Sequence, residues 1–193
     1  YDYSSVFFSN ILISLAVYII AFIVSPFVAD FYGYEILNNL IRVYCLTFLV
    51  MSFSAVHAAI YNKKMLFKEI AKINLPATII SIVVGLYLSL NDYGVWSVVI
   101  MLLVAELIKT ILYNVFSTWK PQFIFSIIKF KNHFHFGYKL MLSGLLNVLF
   151  KNVYNIIIGK HYSPQTLGFY ERSKQFNHYP SSTLSGIMER VSY

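Results

Sequence analysis

Charge is scarce in this chain, and acidic charge scarcest: eight Asp and Glu stand against fifteen Lys and Arg, and only 12% of the 193 residues are charged while 58% are hydrophobic. A soluble domain of this length needs many more charged side chains to cover its surface, so that class is excluded. Cysteine is nearly absent as well. Cys45 stands alone inside an apolar run, which rules out a disulfide or thiolate metal site within the chain and leaves a small packing residue. No Walker A loop, G-x-S-x-G elbow, H-E-x-x-H helix or pair of catalytic carboxylates occurs. Hydrolytic and phosphoryl-transfer chemistry therefore has no visible machinery. The first apolar run lacks a basic leader and a small-residue cleavage pattern, so it does not read as a signal peptide. The chain opens on Tyr1 and stops at Tyr193, and it reads as a piece of a longer protein.

What is present is length of apolar sequence. Val6–Ala29 contains no charged side chain, and further runs follow at Val43–Tyr61, Ile73–Leu90, Val95–Phe116 and Tyr138–Gly159. Hydrocarbon about 30 Å thick is crossed by roughly 20 residues at about 1.5 Å each. These five runs predict an all-α, polytopic transmembrane helix bundle. Pro26 falls near the far end of the first run, and Pro76 in the first turn of the third, where its missing N–H is no loss. The Asn91–Gly94 link predicts a tight hairpin between the third and fourth spans.

The net charge of +7 does not point to nucleic acid, because no soluble basic face carries it. The lysines flank spans, and only every second link is rich in them. Lys63, Lys64, Lys68 and Lys72 follow the second run; Lys120, Lys129, Lys131 and Lys139 follow the fourth; Asp30–Arg42 and Asn91–Gly94 hold only Arg42. The positive-inside bias places the lysine-rich links in the cytoplasm and delivers Lys160–Tyr179 outside. Asn62–Lys72 and Gln122–Phe136 interleave lysines with aromatic and aliphatic residues, predicting short amphipathic helices in the headgroup layer, in contact with anionic lipid.

Charges within spans mark candidate chemistry, since each is costly there unless paired or wet. Glu106 and Lys109 lie at i, i+3 on one helix face. Two readings stand for them, a structural ion pair or a carboxylate coupled to a cation or proton. Asn147, Lys151, Asn152 and Asn155 share one stripe of the fifth run. They read either as interhelical hydrogen-bond glue with Lys151 reaching the headgroups, or as the lining of a cationic cavity for an anionic substrate such as a pyrophosphate-linked lipid. His57 reads as a packed, satisfied histidine. His133 and His135 have an H-x-H spacing that diverges on a helix, so neither a metal nor another cofactor is expected.

Several segments carry a resemblance in the order and spacing of one family. Phe136-Gly137-Tyr138-Lys139-Leu140 opens the fifth run, Asn152-Val153-Tyr154-Asn155-Ile156-Ile157-Ile158-Gly159-Lys160 closes it, and Leu167-Gly168-Phe169-Tyr170-Glu171-Arg172 follows. Upstream lie Tyr61–Lys68, Tyr93-Gly94-Val95-Trp96-Ser97 and Trp119-Lys120-Pro121, and Arg190-Val191 closes the set. Together they resemble polysaccharide (O-antigen or exopolysaccharide) flippases of the MOP superfamily, which serve polysaccharide and lipopolysaccharide biosynthesis. The resemblance implies a MATE-like architecture of which the chain holds spans three to seven and the start of the eighth. It implies that 1–116 closes an N-terminal bundle, 117–137 is a cytoplasmic inter-bundle link and 138–193 opens a C-terminal bundle. The implied activity is translocation of a lipid-linked oligosaccharide across the bacterial cytoplasmic (inner) membrane by a monomeric, multi-pass transporter without enzymatic activity, in contact with membrane lipids. Gly168, Tyr170 and Arg172 would belong to an external segment carrying the family's motif. Tyr154 stands where many relatives carry an acid, which leaves Glu106 as the midplane carboxylate. Alternatives are a cation-coupled small-molecule or multidrug exporter of the same superfamily, which would want acidic cavity residues, and a membrane glycan polymerase or ligase, which would want a large external loop.

Overall fold

Each long apolar run forms a helix; α4 coincides with its run, and the others extend past theirs into polar flanks at one end or both. In the computed structural model, which describes the backbone of residues 2–122 and 127–176 and the side chains of 3–122 and 137–176, α1 is Asp2–Tyr32, α2 Ile36–Lys63, α3 Phe67–Leu90, α4 Val95–Phe116 and α5 Ile127–His161. A sixth helix, α6, covers 164–176. Five of these are long and apolar enough to cross a membrane, as the all-α expectation requires. The chain divides into two compact units, Tyr1–Gly137 and Tyr138–Tyr193.

In the first unit three helix ends close in the same way. Tyr34 N–H donates to the Ala29 carbonyl, Leu66 N–H to Tyr61 and Tyr93 N–H to Leu88, at 3.0–3.2 Å. Each is the six-to-one bond of a Schellman motif, which needs a left-handed residue just before it. Gly33 supplies φ +75°, Met65 φ 52° and Asp92 φ 62°. Only Gly33 meets that demand without a Cβ clash.

These closures shorten the expected links. The mixed segment Asp30–Arg42 contracts to Gly33–Glu35, and Arg42 becomes part of α2. Asn62–Lys72 forms no separate amphipathic helix: α2 runs to Lys63, three residues turn, and α3 starts at Phe67. At about 1.5 Å per residue, the 28 residues of α2 exceed the ~30 Å hydrocarbon, so the lysines ride on helix ends in the headgroup layer. The second expected amphipathic helix, Gln122–Phe136, lies mostly outside the residues whose side chains are described, as do His133 and His135. Its backbone from Ile127 onward is continuous with α5.

The neighbour order in the first unit is α1–α2–α4–α3, with α4 between α2 and α3. Close approach of α3 and α4 follows from the buried row Ile73, Ala77, Ser81 and Gly85 at four-residue steps. A Cβ on Gly85 would stand 2.8 Å from Met101 Sδ, so a larger residue must displace the Met101 side chain. The α2–α4 contact buries Tyr61 and Tyr113 with Ile73. Two cross-helix bonds fasten it: Tyr61 OH to the Phe116 carbonyl at 3.0 Å and Thr110 Oγ1 to the Val50 carbonyl at 3.1 Å. Most buried hydroxyls instead bond within their own helix, as Ser9, Ser52, Ser54, Ser81 and Ser97 do to the carbonyl three or four residues back. That habit lets a hydroxyl sit at a helix contact without an unsatisfied donor.

In the second unit α5 turns at Tyr162-Ser163 into α6. Ser163 caps α6, its Oγ accepting from the Thr166 N–H at 3.3 Å, and Pro164 takes the first helical position.

Candidate functional site

The second unit carries the densest set of polar groups within helices. Lys174 Nζ donates to the backbone carbonyl of Lys151 at 3.2 Å. Ten residues separate Lys151 from the end of α5, and ten separate Lys174 from the start of α6. At about 1.5 Å per residue each arm is roughly 15 Å long, so this bond closes only if α6 runs back antiparallel along α5. The segment expected as an external link is therefore helical through 176 and returns along the span. Gly168, Tyr170 and Arg172 lie on that returning helix, and Lys174 reaches the level of Lys151.

The stripe on α5 is partly self-bonded. Asn152 Nδ2 donates to the Val148 carbonyl at 2.8 Å, and Asn155 Nδ2 donates to Asn152 Oδ1 at 3.0 Å. Asn155 Oδ1 is buried and accepts no hydrogen bond among the described residues. Asn147 and Lys151 are exposed. On α6, Glu171 Oε1 lies 3.6 Å from Lys174 Nζ, and Arg172 Nη1 reaches Gln175 Oε1 at 3.4 Å. The hairpin thus brings Lys151, Arg172 and Lys174 to within about two turns of one level, with one carboxylate, Glu171, among them. Such an excess suits an anionic ligand. Sequence reasoning found the α5 stripe and the α6 motif separately. The hairpin that joins them was signalled by Ser163-Pro164, a cap and a first-turn proline.

Glu106 and Lys109 meet on α4 at 2.8 Å, with their side chains 24% and 27% exposed. They are neither sealed in a dry core nor free in solvent. The same face of α4 continues through Thr110 to buried Tyr113, both engaged with α2.

Two further polar centres lie in the first unit. The first surrounds His57, which is completely buried, with Trp119 and Phe7 edge-on at 5.2 and 6.5 Å between ring centres. It is packed as expected, and neither ring nitrogen has a hydrogen-bond partner of good geometry among the described residues. Trp119 reaches it from a strap, 117–122, folded across the lysine-rich end. Gln122 N–H donates to Ser4 Oγ at 3.1 Å, and Lys120 Nζ to the Asn114 carbonyl at 2.6 Å.

The second centre lies at the opposite end of α1 and α2. Pro26 has no N–H for the Phe22 carbonyl, and Ser25 Oγ lies 2.9 Å from that oxygen. Ser25, fully buried, also lies 2.7 Å from Asn38 Oδ1 and accepts from Arg42 Nε at 3.0 Å. The Arg42 guanidinium stands 4.0 Å over the Phe22 ring. Among the described residues no three His, Cys, Asp or Glu side chains group to hold a metal ion.

Comparison with known proteins gives this arrangement a context. The chain is 27% identical over 195 residues to the teichuronic acid biosynthesis protein TuaB of Bacillus subtilis (strain 168), covering 98% of this chain and 40% of that protein. It is 23% identical over 185 residues to the succinoglycan biosynthesis transport protein ExoT of Rhizobium meliloti (strain 1021), covering 95% of this chain and 37% of that protein. The chain thus spans about two fifths of the length of these curated relatives. No solved structure matches it significantly. Five spans and these relatives describe a multi-pass bacterial membrane protein. A family model described as polysaccharide biosynthesis protein matches residues 1–193, the whole sequence, and the chain belongs to that family.

Proposed function

We propose that the protein is a transporter, not an enzyme, that moves a lipid-linked oligosaccharide across the cytoplasmic membrane by alternating access. The observation that carries this reading is the α5–α6 hairpin, where Lys174 bonds the backbone carbonyl of Lys151, a cation inside a candidate span, and α6 adds Arg172 and Lys174 with one carboxylate, Glu171. A pyrophosphate-linked lipid is the substrate chemistry such a cluster fits, and the names of the two relatives, for teichuronic acid biosynthesis and succinoglycan biosynthesis transport, support it. In this reading Lys151, Asn152 and Asn155, with Asn147 a turn away, line the substrate path, and α6 contributes Arg172 and Lys174. The same reading makes 1–116 the end of an N-terminal bundle, 117–137 its cytoplasmic link and 138–193 the start of a C-terminal bundle.

Lys151→Ala in the whole protein tests it by complementation of glycan export. Export falls to background while the protein accumulates normally; wild-type export at normal abundance overturns the cavity role. The Glu106–Lys109 pair serves α4 as an internal neutralisation of charge. Exchanging the two, Glu106→Lys with Lys109→Glu, restores the abundance that either change alone lowers. Restored abundance with lost export would assign Glu106 a coupling role instead.

A further inference from the structure

We propose that Arg42 is an oxyanion-binding side chain, held ready by Ser25 and Asn38, at the lysine-poor end of the α1–α2 pair. Its Nε–H is taken by Ser25 Oγ at 3.0 Å, and Ser25 is in turn fixed against Asn38 Oδ1 at 2.7 Å. The Phe22 ring supports one face of the guanidinium at 4.0 Å. A guanidinium has five N–H donors in a planar fork that matches carboxylate and phosphate oxygens. Only the Nε donor is used here. The others find no acceptor among the described residues, and no carboxylate there comes within ion-pair distance of Arg42.

The direction of the side chain excludes simple anchoring in the headgroups. Arg42 lies six residues from the start of α2, about 9 Å along it, and Phe22 lies ten residues from the end of α1, about 15 Å along it. The two helix ends are joined by Gly33–Glu35 alone, so they share one level. Side chains on a helix lean toward its N-terminus, which for α2 is the lysine-poor surface. The Arg42 guanidinium instead stacks on a ring rooted about 6 Å deeper than its own backbone. A cation drawn inward, with most of its donors unused, is costly in a bilayer unless water or an anion meets it. Ser25 and Asn38 also remove its rotational freedom in advance, which lowers the entropy lost on binding.

The ligand is a phosphate or pyrophosphate oxyanion, from a polyprenyl-linked glycan or from an anionic phospholipid. The first source rests on the transport reading above; the second does not. The test uses the whole protein in phosphatidylcholine nanodiscs and measures two things by native mass spectrometry. One is the affinity for farnesyl pyrophosphate, and the other is retention of phosphatidylglycerol when that lipid is doped into the disc. Arg42→Gln is expected to weaken one of these by about tenfold or more, the loss of charge-assisted hydrogen bonds. Arg42→Lys, which keeps the charge and loses the fork, is expected to weaken it by a smaller factor, and Ser25→Ala likewise by loosening the clamp. Loss confined to farnesyl pyrophosphate names the glycan lipid. Loss confined to phosphatidylglycerol names the phospholipid and leaves the transport reading untouched. Unchanged values of both measurements in Arg42→Lys and Ser25→Ala, with Arg42→Gln either unchanged or unfolded, overturn the proposal.

Discussion

The two units handle polarity in opposite ways. In α1–α4 the buried polar side chains are almost all hydroxyls, and most return their proton to a carbonyl of their own helix. In α5–α6 no described side chain is fully buried; the polar groups on the helices are amides and cations, half-buried or exposed, and the bond that ties the hairpin runs from one helix to the other. A hydroxyl that satisfies itself can be buried wherever a small side chain is wanted. A cation cannot, so its position within a span records a need other than packing.

The largest effect that would break this contrast is expected in the second unit. Lys151→Ala and Lys174→Ala each reduce glycan export by about tenfold or more, the scale of a lost charge-assisted contact, with protein abundance near wild type. Next comes the first unit's tightest contact. Gly85→Leu drives a side chain into Met101 and costs about 1–3 kcal/mol, read as a lower unfolding temperature in detergent. Met65→Gly acts in the other direction. Met65 is 74% exposed and left-handed, so the change removes a conformational cost of about 1–2 kcal/mol and returns about half to the greater freedom of the unfolded chain. A net gain of about 0.5–1 kcal/mol should raise the same unfolding temperature. The smallest effects separate two kinds of hydroxyl. Thr110→Val loses a bond to another helix and costs about 0.6 kcal/mol. Ser52→Ala, which loses only a bond within its own turn, stays within about 0.5 kcal/mol of zero. Equal losses in the pair would erase the distinction.

The spans were legible because roughly 20 apolar residues leave a chain little choice in hydrocarbon. Most of their ends were not, α4 and the close of α3 excepted. Composition marks where side chains turn polar, whereas hydrogen bonding continues the helix until a left-handed residue stops it, and at Met65 and Asp92 that residue is not glycine. Arg42 was consequently read as part of a link. Its partner Ser25 is 17 positions away on another helix, a pairing that no periodicity within α2 can reveal. The Glu106–Lys109 contact was legible for the opposite reason, since both members sit one turn apart on the same helix. Lys160–Tyr179 was read as a link from its charges, and its helix through 176 was not foreseen. Counting Lys and Arg assigns a segment to a side of the membrane, but it is blind to a hairpin that carries them back along a span.

The insertion of α4 between α2 and α3 also orders events in time. Tyr61 must wait for Phe116, and Val50 for Thr110, 55 and 60 residues later in the chain. At about 5–20 residues per second on the ribosome, that interval lasts roughly 3–12 s. Until α4 emerges, the α4-facing side of α2 has no lasting neighbour and α3 is tethered to α2 by a three-residue turn. During synthesis the contact face of α2 is therefore without these partners for the whole of that interval.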